Sequence, residues 1–313
     1  MMHSPRGIKR RLSIRELSAL FKPGIVVSNT LTAITGLTLA RATFDRTAIG
    51  VADARLLEVG IGVALLVAGA AAVNNGLDHK LDADMGRTRG RPTATGRLSP
   101  AVAKTIGACL ATLGLGFLGL VHPLSAFLGM AGLFTYVFPY TLWTKRRSPL
   151  SSVVGGVAGA IPPLIGWSAF DPGLGGPALA LFLFLIAWQQ AHVRSLALRR
   201  EGEYRRVGLP IAGLGVEGRG DVTPQSRIWI LVWIVVAQVP LVAARALLPE
   251  AIGIPFLEAS IGGGVLWFIT GYVTSCPSRS PNSAGWGSLM FLSSLAHLLL
   301  VFVSLLVLAL ASG

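Results

Sequence analysis

The chain has 313 residues, of which 52% are hydrophobic and only 13% are charged. In a soluble domain about a quarter of the residues are charged, so much of this chain's surface faces something other than water. The net charge of +13 would suit a nucleic-acid-binding protein, but the basic residues lie between long apolar stretches, which favours a membrane protein.

Apolar segments long enough to cross a lipid bilayer recur along the whole chain. A helix needs about 20 residues to cross roughly 30 Å of hydrocarbon. We therefore predict an all-α fold, a polytopic membrane helical bundle of about nine transmembrane helices. The spans lie near residues 24–42, 57–77, 100–120, 124–143, 150–169, 176–197, 228–248, 252–273 and 287–311. Glycine and proline in the stretch 155–166 can break or tilt a helix there, so eight or ten spans also fit.

The basic residues favour one side of these spans. If the N-terminus is cytoplasmic and the spans alternate, all of the 27 lysines and arginines except Arg41, Arg46, Arg55 and Arg245 lie inside. This positive-inside bias predicts an integral protein of the cell membrane (inner or plasma), with its N-terminus and active site in the cytoplasm. It also predicts a cytoplasmic N-terminal segment, 1–22, followed by a single membrane domain, 23–313. Membrane lipid is an expected partner, and nucleic acid is not.

The first long inside segment carries oxygen-bearing side chains at helical spacing. Asn74, Asp78 and Asp82 are four residues apart and would lie on one face of a helix. Mg²⁺ prefers oxygen ligands and is often shared between carboxylates and substrate phosphates. Arg87 and Arg91 follow, and a guanidinium group can bind two phosphate oxygens at once through two parallel hydrogen bonds. The pattern predicts a catalytic Mg²⁺ and phosphate site, and its alternative is a solvated loop whose acids are neutralised by arginines.

A second polar segment follows the predicted span 176–197. Gln189 and His192 are three residues apart and share a face at the inner end of that span. His192 is a candidate binding residue because a glutamine and an arginine lie beside it. Glu203 is a candidate ligand for a second metal site opposite the first, and its alternative is an exposed acid among arginines.

For two further groups of polar residues, a structural or topological role is an alternative to a role in the active site. Lys145 and Arg146, in a short inside loop, are candidates for binding a diphosphate, although they also serve the positive-inside bias. His297 lies within the last predicted span, where a polar side chain must face other helices rather than lipid. We expect it to make a hydrogen bond to a neighbouring helix.

Three ordered motifs make the chain resemble a known superfamily. They run from Asn74 to Pro100, from Tyr140 to Trp167 and from Trp188 to Pro210. Together they resemble the intramembrane (UbiA-type) prenyltransferases, which include enzymes of quinone biosynthesis and heme O synthase. The protoheme IX farnesyltransferase branch is the most similar. The resemblance covers roughly residues 20–310 and implies the intramembrane prenyltransferase fold.

The resemblance also implies a reaction and its participants. A farnesyl group would pass from farnesyl diphosphate to a vinyl group of protoheme IX (heme b), giving heme O, with Mg²⁺ as cofactor. Heme A synthase or the assembly of a terminal oxidase is implied as a partner. The metal would be held by Asn74, Asp78, Asp82 and Glu203, and substrates would be bound by Arg87, Arg91, Lys145, Arg146, Gln189, His192 and Tyr204. His192 would either ligate the heme iron or orient the porphyrin.

The sequence departs from the family pattern at several positions. Lys80 stands where the family usually has an acid, Gln190 and Ala191 stand where it has two prolines, and Gly202 replaces an acid of the third motif. These departures leave open a prenyltransferase of the same fold that acts on another acceptor, such as a quinone precursor or another lipid or tetrapyrrole. A membrane transporter and a non-enzymatic assembly factor are the alternatives outside prenyl transfer.

Overall fold

The computed structural model describes residues 12–44, 54–210, 224–275 and 283–312, which form helices and turns with no β-strand among them. The helices are α1 (Ile14–Phe21), α2 (Pro23–Phe44), α3 (Ala54–Asp84), α4 (Pro100–Val121), α5 (Pro123–Thr135), α6 (Ser151–Ala160), α7 (Pro162–Ser168), α8 (Gly176–Arg199), α9 (Glu201–Arg206), α10 (Pro224–Arg245), α11 (Glu250–Thr274) and α12 (Ser283–Ala311), and a π-helical segment, Tyr136–Thr144, continues α5. The predicted all-α fold is confirmed.

In the described ranges, eight helices are long and apolar enough to cross a membrane: α2, α3, α4, α5 with its π-helical continuation, α8, α10, α11 and α12. The protein is an integral membrane protein. The remaining predicted span, 150–169, which is the fifth in chain order, consists of the two short helices α6 and α7. The break has a direct cause, because Pro162 and Pro163 lack the backbone N–H that a continuous helix would need.

The two short helices together run along α8 from its start to Gln190. At one end, the Ser152 hydroxyl at the start of α6 donates to Gln190 Oε1, at 3.1 Å, near the end of α8. At the other end, Trp167 of α7 lies against Gly175, which precedes α8. The stretch 150–169 therefore passes antiparallel to α8, as the predicted span requires, although it is broken in the middle.

Glycines set the distance between α3 and α4. A Cβ on Gly69 would lie 2.5 Å from the carbonyl oxygen of Gly107, and a Cβ on Gly114 would lie 2.6 Å from that of Gly62. Side chains of any size would push the helices apart. Helices in lipid associate through such close backbone approach, since lipid is as apolar as their side chains. The contact fixes the position of α3, whose last turns carry the predicted site.

The last turns of α3 and α8 lie at one end of the bundle, which we call the polar end. Helix α1 packs there, because the Asn75 amide donates to the carbonyl oxygens of Ala19 and Leu20 at 3.2 and 2.7 Å. Lys22 follows in the left-handed conformation (φ 52°) and turns the chain into α2. Elsewhere in the bundle, His297 of α12 hydrogen-bonds the Ser260 carbonyl of α11 at 3.2 Å, which confirms its expected role.

Candidate active site

The polar stripe of α3 lies at the polar end and is buried. Asn74, Asp78 and Asp82 are each 1–3% exposed, and the Asn74 amide donates to Asp78 Oδ2 at 2.8 Å. The predicted placement on one helix face is confirmed. Lys80 is exposed and projects from another face of α3, so the departure from the family pattern at this position does not reach the stripe.

Cationic side chains from distant segments surround Asp78. Lys145 forms an ion pair with Asp78 Oδ2, and Arg146 lies 3.2 Å from Oδ1. Lys22 donates to Asn74 Oδ1 at 2.9 Å. A buried carboxylate needs such partners, because the loss of its hydration is otherwise too costly. The structure thus brings Lys145 and Arg146 to the stripe as predicted and adds Lys22, whose contact the sequence does not show.

The turn after α3 folds back on the end of that helix. The Thr88 hydroxyl donates to the Asp82 carbonyl at 3.0 Å, and Arg91 forms an ion pair of 2.7 Å with Asp82 Oδ2. Arg87, in contrast, is exposed and makes no hydrogen bond or ion pair within the described ranges. Of the two predicted arginines, Arg91 therefore touches the stripe, while Arg87 borders it.

A π-helical turn delivers the cations to Asp78. Pro139 has no N–H to donate, and the hydroxyls of Thr141 and Thr144 bond the carbonyl oxygens five residues before them, both at 2.8 Å. The wider turn brings Thr141 within 3.3 Å of the Asn74 amide and carries Lys145 onto Asp78. Single π-helical turns occur often at functional sites, since they reposition side chains that a regular helix would direct elsewhere.

The two lysines of the site differ in protonation. Burial, together with the neighbouring charges of Arg91 and Lys145, lowers the pKa of Lys22 to about 7, against the opposing effect of the Asp82 and Asp78 carboxylates. Burial also acts to lower the pKa of Lys145, but Tyr140 and Asp78 outweigh it and the pKa is raised. Lys145 is therefore charged throughout the physiological range, whereas Lys22 divides between its two forms near pH 7.

An apolar cavity of about 560 Å³ lies inside the bundle beside the stripe, and Lys22, which donates to Asn74, belongs to its lining. On α3 it is lined by Val63, Val67, Ala70 and Ala71, which share a helix face with Asn74. Its other walls include Ser28 and Thr32 of α2, Gly132 of α5, Tyr136 of the π-helical segment, Gly155 and Gly159 of α6, Ile165 of α7, Gln189 and His192 of α8, and Phe291 of α12. Ligand pockets typically enclose about 300–1,000 Å³, so this cavity has the size and polarity for an isoprenoid chain.

His192 lies in the wall of this cavity with a defined orientation. Its ring stacks on Trp188 and packs against Phe291, both with centroids 4.6 Å away. Its Nδ1 lies 2.7 Å from the hydroxyl of Ser294, which donates its own proton to the Phe291 carbonyl at 2.6 Å. The Ser294 oxygen can then accept from Nδ1–H, and in that tautomer Nε2 carries a lone pair. Nε2 makes no hydrogen bond within the described ranges.

The two glutamines of α8 have different roles. Gln189 lines the cavity and donates to the Gly156 carbonyl at 3.0 Å. Gln190 is fully buried, and its amide donates to the Ser152 carbonyl at 3.3 Å. Gln190 therefore ties α8 to α6 and lies outside the cavity lining, which gives a structural reason for glutamine where the family has proline.

Glu203 and Tyr204 belong to the short helix α9 at the same end. Glu203 lies beside the turn after α3, since a Cβ on Gly86 would be 3.6 Å from Glu203 Oε1. Its Oε2 is buried and has no partner within the described ranges. Burial, opposed by the charge of Arg87, raises the pKa of Tyr204. The structure thus brings α9 next to the turn after α3. Among the described residues, however, Glu203 is not gathered with Asp78 and Asp82 into one group that could hold a metal ion.

The donor set of the stripe fits Mg²⁺ that arrives with a phosphate. No group of three or more His, Cys, Asp or Glu side chains is gathered for a metal in the described part of the chain. The stripe offers the carboxylates of Asp78 and Asp82 and the amide oxygen of Asn74. Mg²⁺ is commonly held by one or two carboxylates, with water and substrate phosphates completing its shell.

Comparison with known proteins agrees with this arrangement. Residues 29–295 match the UbiA prenyltransferase family. The chain belongs to the UbiA prenyltransferase family. The protein is therefore an enzyme that transfers prenyl groups, and the transporter and the assembly factor are set aside.

Named UbiA-family relatives resemble the chain over nearly its whole length. The protoheme IX farnesyltransferase of Bacillus thuringiensis (strain Al Hakam) is 38% identical over 307 residues, which are 96% of this chain and 94% of the relative. The protoheme IX farnesyltransferase of Bacillus cereus (strain G9842) is also 38% identical, over 300 residues, 94% of this chain and 92% of the relative.

Solved structures of UbiA-type proteins share the fold at low sequence identity. The structure of digeranylgeranylglyceryl phosphate synthase superposes with a TM-score of 0.71 at 16% identity, covering 95% of this chain and 99% of that one. A UbiA homolog from Archaeoglobus fulgidus bound to GPP and Mg²⁺ gives a TM-score of 0.61 at 11% identity, covering 91% and 99%. The predicted intramembrane prenyltransferase fold is confirmed.

Proposed function

We propose that this enzyme transfers the farnesyl group of farnesyl diphosphate to a vinyl group of heme b and so makes heme O, with Mg²⁺ as cofactor. The main support is the buried stripe Asn74–Asp78–Asp82, which Lys22 joins to an apolar cavity. The wall of that cavity holds His192, whose Nε2 makes no hydrogen bond within the described ranges. The relatives that are named protoheme IX farnesyltransferase support it.

The donor's diphosphate would bind at the stripe. Asp78, Asp82 and Asn74 would hold the Mg²⁺, and Glu203, whose Oε2 is buried without a partner within the described ranges, is the further candidate ligand. Bound Mg²⁺ would neutralise the diphosphate and so make it a better leaving group. A structural neighbour of the same fold, the UbiA homolog from Archaeoglobus fulgidus, is described with GPP and Mg²⁺ bound.

The cations around the stripe would change partners when the substrate binds. Lys145 and Arg146 now neutralise Asp78, and Arg91 neutralises Asp82. Once Mg²⁺ takes over the carboxylates, these side chains become free to contact the diphosphate oxygens, with Arg87 at the exposed rim. They would then stabilise the negative charge that grows on the leaving group, and they are already in place before the reaction begins.

The farnesyl chain would lie in the apolar cavity below the stripe. Val67, Ala70 and Ala71 continue the helix face of Asn74 into this cavity, so a chain entering there would have its reactive carbon next to the diphosphate site. The apolar walls exclude water from the allylic cation until the acceptor attacks. Gln189 and Tyr136 line the same cavity and would supply the polar contacts near its mouth.

The reaction would proceed in three steps. The bond between farnesyl C1 and the diphosphate oxygen breaks, and its electron pair leaves with the diphosphate. The terminal carbon of the heme vinyl group then attacks the allylic cation and forms the new carbon–carbon bond. Water adds to the other vinyl carbon and loses one proton, which leaves a hydroxyethylfarnesyl group on the porphyrin.

His192 would hold the acceptor by its iron. Ligating histidines usually donate the second ring N–H to an oxygen, which fixes the ring and its tautomer. The bond from Nδ1–H to Ser294 has that form, and Nε2 stays available at the cavity wall. Of the two roles open for His192, iron ligation therefore fits the geometry better than a general orienting contact. Tyr204 would border the acceptor from α9.

We place the active site on the cytoplasmic face of the cell membrane. The polar end carries the lysines and arginines of the site, and Arg41 and Arg245 end α2 and α10 at the opposite side. The positive-inside bias puts the more basic end in the cytoplasm. Heme O would then be released toward heme A synthase or the assembly of a terminal oxidase.

Heme extraction from cells tests this function. The chain would be expressed in a bacterial host that lacks its own heme O synthase, and the extracted hemes would be separated and weighed by mass spectrometry. We expect heme O with the wild type and only heme b with Asp78→Asn. Asp84→Asn, which changes an exposed acid at the end of the same helix, should still give heme O. Wild-type membranes that contain the folded protein and no heme O would contradict the proposal.

A further inference from the structure

A second cavity, of about 460 Å³, opens at the polar end beside α9. Its lining includes Arg199, Arg200, Arg205 and Arg206 together with Glu201 and Glu203. The lining therefore contains four arginines and two glutamates. We call it the arginine pocket.

Of the four arginines, Arg200 and Arg205 lie beside glutamates, whereas the side chains of Arg199 and Arg206 have no acidic partner within the described ranges. Arg200 lies 3.5 Å from Glu203, and Arg205 lies 2.5 Å from Glu201. Arg199, in contrast, forms no ion pair or hydrogen bond within the described ranges, and neither does Arg206. The arginine pocket thus carries an excess of two positive charges, which would suit a ligand with two carboxylates.

Arg199 connects the arginine pocket to the wall of the larger cavity. Its guanidinium lies over the ring of Phe291, 5.3 Å from the centroid. The same ring packs against His192, and both Phe291 and His192 line the large cavity. A stacked guanidinium keeps its edge free to donate hydrogen bonds. The unbalanced charge of Arg199 is therefore held one aromatic ring away from the proposed iron ligand.

We propose that Arg199 binds a propionate of the tetrapyrrole acceptor and so determines which edge of the porphyrin enters the site. The inference rests on the proposed function. Heme b carries its two propionates and its two vinyl groups on opposite halves of the macrocycle. With the iron on His192 and a propionate on Arg199, the vinyl half is turned away from the arginine pocket. Arg199 then selects dianionic porphyrins over uncharged ones, a discrimination that His192 alone cannot make.

Esterified heme separates this role from others. Heme b and its dimethyl ester differ only in the charge of the propionates, so binding of each is measured by titration of the Soret band. The purified wild type should bind heme b about tenfold or more tightly than the ester, since a charge-assisted hydrogen bond to a carboxylate is lost. Arg199→Gln should bind both hemes with the same, weak affinity. Arg199→Lys, which keeps the charge but not the fork of donors, should retain part of the preference.

Two controls keep the interpretation specific. Farnesyl diphosphate affinity should be unchanged in Arg199→Gln, because the diphosphate binds at the stripe. Arg147→Gln, which removes an exposed arginine at the same end, should preserve the preference for heme b over the ester and so exclude a general charge effect.

Several results would overturn the inference. Equal binding of heme b and the ester by the wild type would show that no propionate is recognised, whether or not a variant folds. An unchanged preference in Arg199→Gln would assign the recognition to another residue. Weakened farnesyl diphosphate binding with normal heme binding would assign Arg199 to the donor. A wild type that binds neither heme would refute the proposed acceptor itself, and this inference with it.

Discussion

Ser294 of α12 and His192 of α8 are joined by a hydrogen bond of 2.7 Å between Oγ and Nδ1 across 102 residues of sequence. Because the serine hydroxyl also donates to the Phe291 carbonyl, its oxygen can accept from Nδ1–H, which is the tautomer that leaves Nε2 free. Helix α12 therefore orients a side chain of the third motif.

Removing this hydroxyl should alter the heme complex without abolishing it. In Ser294→Ala the imidazole loses its Nδ1 partner, so the ligand becomes less basic and less well oriented; losses of this kind typically cost about 10–100-fold in metal affinity. We expect weaker heme binding and a shifted Soret band, and in His192→Ala the loss of the histidine-ligated spectrum. Optical titration of both variants measures this. Ser288→Ala, which changes a half-buried serine of the same helix, is the control. Spectra that are identical in wild type and His192→Ala would remove iron ligation from the account.

Lys145 should matter more for the chemical step than for donor binding. Lys145→Gln removes a cation that faces the leaving group, and loss of one such preorganised contact costs about 10²–10³ in kcat. Lys145→Arg should recover part of the rate because it keeps the charge. Single-turnover rates with saturating farnesyl diphosphate measure the effect, and Lys80→Gln, which removes an exposed lysine at the same end, serves as control. A normal rate in Lys145→Gln would leave this residue with only a topological role.

The space in the cavity should determine which prenyl diphosphate the enzyme prefers as donor. Gly132 lines the cavity, and a Cβ there would meet only ordinary contacts, with Ile161 at 3.5 Å. Gly132→Leu therefore narrows the cavity without clashing with the backbone. We expect kcat/KM to fall for farnesyl diphosphate and to fall much less for geranyl diphosphate. Gly116→Leu, which extends into open space, should change neither value. If both donors lose activity equally in Gly132→Leu, the chain lies elsewhere.

The α3–α4 contact should be sensitive to a single methyl group. A Cβ on Gly69 would lie 2.5 Å from the Gly107 carbonyl oxygen, so Gly69→Ala must separate the helices. Overpacking of this kind costs about 1–3 kcal/mol of stability. Thermal denaturation in detergent should show a lower midpoint for Gly69→Ala than for Gly116→Ala, whose added Cβ meets nothing. Equal midpoints would mean that the two helices can adjust at no cost.

The long helices and the polar stripe of the site could be predicted from residue spacing alone. The spacing of Asn74, Asp78 and Asp82 fixes their common face in any helix, so the stripe needed no tertiary information. Span lengths likewise identified the long helices. The stretch 150–169 differs from the prediction because it is not one continuous helix. Pro162 and Pro163 break it into two short helices, which still pack along α8.

The remaining contacts depend on how distant segments pack. Nothing near Lys22 in the sequence shows that its ammonium reaches Asn74, and nothing near Ser294 indicates a partnership with His192. The π-helical turn arises from Pro139 together with the hydroxyl bonds of two threonines, which a regular helical pattern conceals. Such partners become visible only when the helices are placed against one another.

Turnover by the purified protein decides whether heme b is the farnesyl acceptor. Wild type and Asp78→Asn would each be incubated with Mg²⁺, farnesyl diphosphate, heme b and a phenolic quinone precursor, and the products would be weighed by mass spectrometry. We expect hydroxyethylfarnesyl heme from the wild type, none after Mg²⁺ is chelated, none from Asp78→Asn, and no prenylated phenol. Farnesyl transfer to the phenol with heme b left unchanged would contradict it.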